Sequence, residues 1–223
     1  MLTKLPQPMA LHRPLRAINK SHFPFLMEPF VTPERAEKLR RALERKQPTL
    51  TLVLENVHDP HNVSAVLRSC DAVGVVEVYL VYNGRQKFPD LGERSSASAK
   101  KWIDMHQFSR VEDCFALLRE KEYKIFTTHM ANDAVSLYSL DLTGRVALVF
   151  GNEHSGVSDE ALQLADGNFL IPQVGMIQSL NISVACAMSL FEASRQRWST
   201  GMYDSPQFSN EEFGAKFLDW QMR

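Results

Sequence analysis

The chain of 223 residues is poor in cysteine and has no apolar run long enough to cross a membrane. Its three cysteines, Cys70, Cys114 and Cys186, lie far apart in apolar surroundings, so we expect buried thiols in a reducing cytoplasm. No Cys/His group has zinc-site spacing, which predicts no metal. Prolines and basic residues interrupt the apolar residues near the N terminus, so we expect no signal peptide and no membrane partner.

Three common ligand-binding and catalytic motifs are also missing. No G-x-G-x-x-G follows the first predicted strand, which leaves a dinucleotide fold without support. No Walker P-loop is present, which argues against phosphoryl transfer from a nucleotide. No G-x-S-x-G nucleophile elbow is present either. If this chain binds a ligand at a sheet edge, it does so by another route.

The charge is nearly balanced but unevenly distributed. The formal net charge of −1 argues against a strongly basic nucleic-acid binder. However, residues 1–50 contain ten Lys and Arg against four Asp and Glu, and residues 85–101 contain five against two. This segregation predicts a positive face suited to phosphates. The basic residues of 35–46 also fit the solvated face of an amphipathic helix, and the two interpretations are compatible.

Predicted strands and helices alternate through the middle of the chain. This pattern is typical of an α/β fold with a mostly parallel sheet and helices on both faces. We expect an N-terminal arm and basic helix over residues 1–48, one domain over 49–199, and a tail with a helix over 200–223. The predicted strands are residues 51–54, 77–82, 123–128, 146–150 and 168–171. The predicted helices are 33–47, 62–73, 111–122, 158–165, 181–198 and one from residue 210.

Three segments follow predicted strands, at the edge where α/β proteins usually bind ligands. The first contains Asn62 and Arg68, which are six residues apart, close to two helical turns, and are expected to share one rim of a helix. An arginine at such an edge suits a phosphate or a developing negative charge. The second contains Gly151, which lets a ligand approach the backbone, and the carboxylate of Glu153.

The third segment runs from Ile171 to Cys186. Pro172 ends a strand because proline has no N–H to donate. Ser179 and Asn181 stand where short polar side chains satisfy the free N–H groups of a helix start. The helix that follows is apolar or small nearly all round at first, which predicts packing on several sides.

In this order the three segments resemble the three motifs of the SpoU/TrmH group of RNA ribose 2'-O-methyltransferases, in the SPOUT superfamily. The likeness covers about residues 50–198. Residues 56–62 and 96–102 are also similar to the subgroup that methylates guanosine-18 of tRNA.

The resemblance implies a C-terminal trefoil knot that forms a pocket for S-adenosylmethionine, and a homodimer. Backbone groups near Thr128, Gly151, Ile171 and Leu180 would hold this cofactor. The apolar helix from Asn181 would then pack against both its own sheet and the partner subunit.

The resemblance also implies roles for the polar residues. Arg68 would contact and activate the ribose 2'-hydroxyl, although a guanidinium with a pKa above about 12 is a poor base. We therefore hypothesise that a substrate phosphate takes part while Arg68 orients and stabilises the oxyanion. Asn62 and Glu153 would position Arg68 and the loop, and Ser179 and Asn181 would shape the pocket.

The candidates for RNA contact are His61, Arg195 and Arg197, together with the basic residues within 1–48 and 85–101 and the tail. For the two arginines, surface solvation is an equally good interpretation. The expected RNA is tRNA. Two alternatives stay open, namely a ribosomal RNA substrate and a knotted RNA-binding protein that has lost catalysis.

Overall fold

A computed structural model of the chain describes residues 31–83, 99–130, 134–152, 154–177 and 179–223. The predicted N-terminal arm before residue 31 lies outside the described residues. So do Glu153 and residues 84–98, which include most of the second basic stretch.

Among the described residues, the fold is built on one parallel sheet of seven strands. Their order across the sheet is β3-β2-β1-β6-β4-β7-β5, and every pair of neighbours is parallel. This confirms the predicted α/β fold class. The strands are β1 (Leu50–Glu55), β2 (Glu77–Val81), β3 (Asp104–Phe108), β4 (Lys124–Thr128), β5 (Val135–Ser136), β6 (Val146–Phe150) and β7 (Gly167–Leu170).

Six α-helices are described, and those packed on the sheet cover both of its faces. Helices α2 and α5 pack on one face, and α3 and α4 on the other, each above its own apolar core. The helices are α1 (Pro33–Leu43), α2 (Pro60–Val73), α3 (Val111–Glu120), α4 (Asp159–Leu164), α5 (Ile182–Ser199) and α6 (Asn210–Met222). None of the helices among the described residues is long and apolar enough to span a membrane.

Helix α1 ends at Leu43, so the prediction that Pro48 ends it is wrong. The residues after α1 are held by the end of α2 instead. The buried Lys46 donates to Asp71 at 2.7 Å, and the amide of Gln47 donates to the carbonyl of Gly74 at 2.7 Å. Helices α1 and α6 then share a third, smaller core that includes Leu43 and Trp220. The N-terminal and C-terminal helices are therefore joined into one layer beside the sheet.

Strand β7 lies between β4 and β5, although β4 and β5 follow each other in the chain. Thr128 at the end of β4 and Val135 at the start of β5 are both level with Phe169 of β7. The connection between β4 and β5 therefore joins two strands that flank a later strand. This strand order is compatible with a C-terminal segment that threads through an earlier loop, and the trefoil knot itself stays a prediction.

Candidate active site

Three adjacent strands end at one edge of the sheet and bring three predicted cofactor contacts together. Strands β6, β4 and β7 are neighbours and run parallel. Thr128 is the last residue of β4, while Gly151 and Ile171 directly follow β6 and β7. The Thr128 hydroxyl donates to the carbonyl of Val149 at 3.1 Å, which ties the first two strands together. Their binding role stays a prediction.

Gly151 is required by the fold of its own loop. A Cβ there would lie 1.9 Å from the carbonyl carbon and oxygen of Gly156, a distance that no side chain tolerates. The amide of Gly156 donates to the carbonyl of Asn152 at 3.0 Å and closes the loop. The close approach of the Gly156 backbone therefore requires glycine at position 151, and the approach of a ligand to the backbone of Gly151 stays a prediction.

Glu55 supports the far end of this loop and was missed in the sequence. The side chain is 1% exposed, and its Oε2 accepts a hydrogen bond from the amide of Ser158 at 2.9 Å. Its Oε1 accepts one from the amide group of Asn83 at 3.3 Å. The sequence places an acid directly after an apolar run, a pattern that predicts the start of a polar loop and not a buried carboxylate. Glu55 thus links β1 to the start of α4.

The segment between β7 and α5 offers unpaired backbone groups. Within the described residues 172–177, 179 and 180, no group makes a hydrogen bond. Val174, Met176 and Ile177 are 106%, 99% and 62% exposed. Small-molecule sites combine apolar surface with a few polar groups that fix orientation. Free amides and carbonyls next to exposed apolar side chains fit a cofactor that carries both a nucleoside and an amino-acid portion.

Asn181 joins the first and third predicted motifs. Its Oδ1 accepts from the amide of Ser183 at 2.9 Å, which caps α5 as predicted. Its Nδ2 donates to Oδ1 of Asn62 at 3.1 Å, across 119 residues of sequence. The first turn of α2 and the start of α5 are therefore held together. Ser179 is exposed and does not cap the helix, so that expectation is wrong, and its pocket role stays a prediction.

Arg68 lies on an exposed rim of α2 with His61. At 100° per residue, the six residues from Asn62 to Arg68 leave these two side chains about 120° apart around the helix. The prediction that they share a rim is therefore wrong. Arg68 follows His61 by seven residues, which places these two side chains within about 20° of each other around the helix axis. Among the described residues Arg68 makes no hydrogen bond or ion pair, so its guanidinium is available to a substrate.

Arg197 is buried, and the prediction that it contacts RNA is corrected. Its side chain is 0% exposed, and its nitrogens make five hydrogen bonds of 2.6 to 3.2 Å. The acceptors are the carbonyls of Leu142, Thr49 and Gly144 and the side chains of Gln47 and Thr49. Burial lowers the pKa of Arg197 to about 10, so the group stays charged at neutral pH. Arg197 fastens the end of α5 to the amino edge of the sheet.

Arg195 has the opposite environment. Its side chain is 64% exposed and forms an ion pair with Glu192 at 2.7 Å, one helical turn away. A surface pair of this kind is weak and leaves the guanidinium accessible to a phosphate. Its contact with RNA stays a prediction, as does that of His61, which is also exposed.

Fold and site together define a parallel α/β protein with a ligand crevice at the carboxyl edge of its sheet and an exposed arginine on an adjoining helix. No three His, Cys, Asp or Glu residues in the described ranges are grouped as a metal site requires. The chain belongs to the SpoU rRNA Methylase family, whose sequence model matches residues 49–191.

Two relatives show how far this likeness extends. A tRNA (guanosine(18)-2'-O)-methyltransferase of Thermus thermophilus is 44% identical over 189 residues, which cover 85% of this chain and 96% of the relative. A 23S rRNA (guanosine-2'-O-)-methyltransferase RlmB of Xanthomonas axonopodis is 38% identical over 149 residues, or 66% of this chain and 59% of the relative.

Solved structures agree with the fold. The TrmH/SpoU tRNA modifying enzyme of A. aeolicus superposes with a TM-score of 0.79 at 35% identity, covering 85% of this chain and 95% of that structure. An AdoMet-bound rRNA methyltransferase from Sinorhizobium meliloti gives a TM-score of 0.61 at 29% identity, covering 70% of this chain and 59% of that structure.

Proposed function

We propose that this protein is an S-adenosylmethionine-dependent methyltransferase that acts on the ribose 2'-hydroxyl of guanosine-18 in tRNA. The observation that carries the proposal is the hydrogen bond between Asn62 and Asn181. It fixes helix α2, which carries Arg68, beside the start of α5, where the segment that follows β7 ends. This chain aligns with 96% of the length of the tRNA-specific relative but with only 59% of the length of the rRNA-specific relative.

The cofactor, when bound, supplies an electrophilic methyl group on a sulfonium. The residues that would hold it are Thr128, Gly151, Ile171 and Leu180, through backbone groups at the three strand ends and the start of α5. Their amides and carbonyls suit the polar edges of a nucleoside, and the neighbouring exposed apolar side chains suit its flat surfaces.

Arg68 would orient the ribose rather than remove its proton. A guanidinium keeps its proton at any physiological pH, so it donates hydrogen bonds to the 2'-oxygen and to an adjacent phosphate. A substrate phosphate oxygen then takes the hydroxyl proton. Asn62 and Asn181 hold α2 against α5 and so fix the position from which Arg68 reaches the RNA. Glu153 keeps its proposed positioning role.

The protein would act as a homodimer. Val184, Met188 and Phe191 are 45%, 37% and 56% exposed and lie four and three residues apart, on one stripe of α5. Exposed apolar patches of this kind mark association sites. The stripe begins next to the exposed loop that follows β7, so a partner subunit seated there would cover both.

The test is a methyl-transfer assay with labelled S-adenosylmethionine and purified full-length protein. The substrates are a tRNA transcript, the same transcript with guanosine-18 replaced by adenosine, and a 23S rRNA fragment. We expect label in the first alone. Arg68→Lys should lower turnover at least tenfold, because an ammonium cannot donate two parallel hydrogen bonds. Near-normal turnover of Arg68→Lys would contradict the role given to Arg68.

A ribosomal RNA substrate is the second candidate, favoured by the RlmB relative. Label in the rRNA fragment and not in tRNA would establish it. Cofactor binding by calorimetry without transfer to either RNA would favour the catalytically silent protein instead.

A further inference from the structure

A second cleft lies outside the active site, between α1, the short 3-10 helix Ala99–Lys101 and α6. We call it the tryptophan cleft, because Trp102 and Trp220 form part of its wall, and its volume is about 490 Å³. The two rings are 5.0 Å apart and tilted by 57°. Trp220 is 1% exposed, and its indole nitrogen finds no hydrogen-bond partner within the described part of the chain. Trp102 is half-buried, so part of its ring faces the cleft.

Three cations line the same cleft, namely Arg35 and Lys38 from α1 and Lys101. None of the three side chains forms an ion pair with a described residue. The acid in the lining, Asp71, is already bound by Lys46 at 2.7 Å. The cleft therefore carries uncompensated positive charge around an aromatic wall.

This chemistry selects a ligand that is both aromatic and anionic. Tryptophan stacks on nucleic-acid bases, while lysine and arginine bind phosphates, and single-stranded RNA is recognised by this combination. The volume lies within the range of small-molecule sites, large enough for one nucleotide. A purely apolar partner would leave the three cations unpaired, and an acidic peptide would not use the indole rings.

The cleft adjoins the active site along α2. Asp71 follows Arg68 by three residues, which is about 4.5 Å along the helix axis and about 60° around it. An RNA strand that places its target ribose at Arg68 therefore passes the mouth of the cleft within a short distance.

We propose that the tryptophan cleft binds one unstacked nucleotide of the RNA substrate, near the nucleotide that is methylated. Its base lies against Trp102, and its phosphates lie against Arg35, Lys38 and Lys101. The inference rests on the proposed function only in that the ligand is RNA, and it does not depend on which nucleotide receives the methyl group.

The test compares two full-length double variants that each remove two positive charges. Lys38→Ala/Lys101→Ala removes two of the three cations of the cleft, and the control Arg110→Ala/Lys124→Ala removes exposed cations elsewhere on the surface. Binding of a tRNA transcript is measured against salt concentration. We expect the cleft variant to bind about tenfold more weakly, and its plot of log affinity against log salt to flatten by about 1.5, as the loss of two phosphate contacts requires. The control should change less than twofold.

A second readout reports on the aromatic wall. In the Trp198→Phe variant the remaining tryptophans are Trp102 and Trp220. Binding of tRNA should therefore quench the tryptophan fluorescence of this variant. Adding the Lys38→Ala/Lys101→Ala changes should weaken the quenching. Trp102→Leu should also lower affinity about tenfold while leaving the salt slope unchanged, because it removes stacking and no charge.

Equal weakening of both double variants would overturn the proposal, since generic electrostatics would then account for binding. Wild-type affinity in the cleft variant would also overturn it and leave the cleft to another occupant, such as residues 1–30 of this chain. Binding is read without turnover. If the wild-type protein binds tRNA more tightly than the cleft variant, as expected here, but transfers no methyl group, the proposed function is refuted and this inference is not.

Discussion

Replacing Arg197 with alanine tests whether a buried arginine at the end of α5 is structural, as its contacts indicate, or binds RNA. The change removes five hydrogen bonds, and two of the acceptors that lose their donor, the carbonyl of Leu142 and the side chain of Gln47, are in buried bonds. A hydrogen bond from a charged donor contributes about 1.5–3 kcal/mol, and neighbouring bonds do not add fully. We expect a loss of about 3–5 kcal/mol in the free energy of unfolding.

The assay is urea denaturation at a fixed protein concentration, with thermal unfolding beside it. For a chain of this size, about 2–4 °C is lost per kcal/mol, so the melting temperature should fall by about 6–20 °C. Arg195→Ala is the matched control from the same helix. It loses one exposed ion pair and should change stability by no more than about 0.5 kcal/mol, while weakening tRNA binding. The reasoning is refuted if Arg197→Ala stays within about 1 kcal/mol of wild type and weakens tRNA binding instead.

Three further predictions concern the loop after β6, the dimer and the C-terminal helix. Gly151→Ala should lower cofactor affinity at least tenfold by calorimetry, because its Cβ would displace Gly156, whereas Gly144→Ala meets no atom within 4 Å and should bind normally. Met188→Asp should convert the proposed dimer to a monomer in sedimentation equilibrium, whereas Leu218→Asp on α6 should not; a dimeric Met188→Asp protein would rule out the α5 interface. Burial of Asp104 raises its pKa, but hydrogen bonds from Arg223 and Lys216 outweigh this and hold the pKa below the ordinary value of 3.8. The ionised Asp104 therefore contributes its full stabilisation above pH 3.8, and this contribution is lost as the pH falls through the lowered pKa. Asp104→Asn should lower the free energy of unfolding by about 1–2 kcal/mol at pH 7 and by little at a pH below the lowered pKa. A loss of stability that does not depend on pH would contradict this prediction.

Strongly apolar strands and helix caps were predictable from the sequence because their causes are local. All residues of β6 are buried, and the strand was predicted with its observed bounds. Asn181 caps α5, as short polar residues before a helix do. Strand β3 was missed because it lies at an edge and its sequence, Asp-Met-His-Gln-Phe, has no apolar pattern. Strand β5 was missed because it has two residues.

The site was harder to predict where a side chain depends on distant backbone. Arg195 and Arg197 look alike in sequence, but one is in solvent and the other is enclosed. The groups that decide this difference are distant in sequence: the carbonyls of Leu142 and Gly144 lie 55 and 53 residues away, and Gln47 and Thr49 lie 150 and 148 residues away. The pairing of Asn62 with Asn181 likewise depends on how α2 and α5 meet. The three strand ends could be placed at one edge from the sequence, whereas their order, with β7 between β4 and β5, could not.

The central claim is that this chain places a methyl group on the ribose of guanosine-18 in tRNA with Arg68 as the residue that orients the sugar. The most direct measurement is a map of ribose 2'-O-methylation in cellular tRNA before and after deletion of the gene, with complementation by wild type and by Arg68→Ala. The account predicts that methylation at position 18 disappears on deletion and returns with wild type alone. Unchanged methylation at that position after deletion, or full restoration by Arg68→Ala, would contradict it.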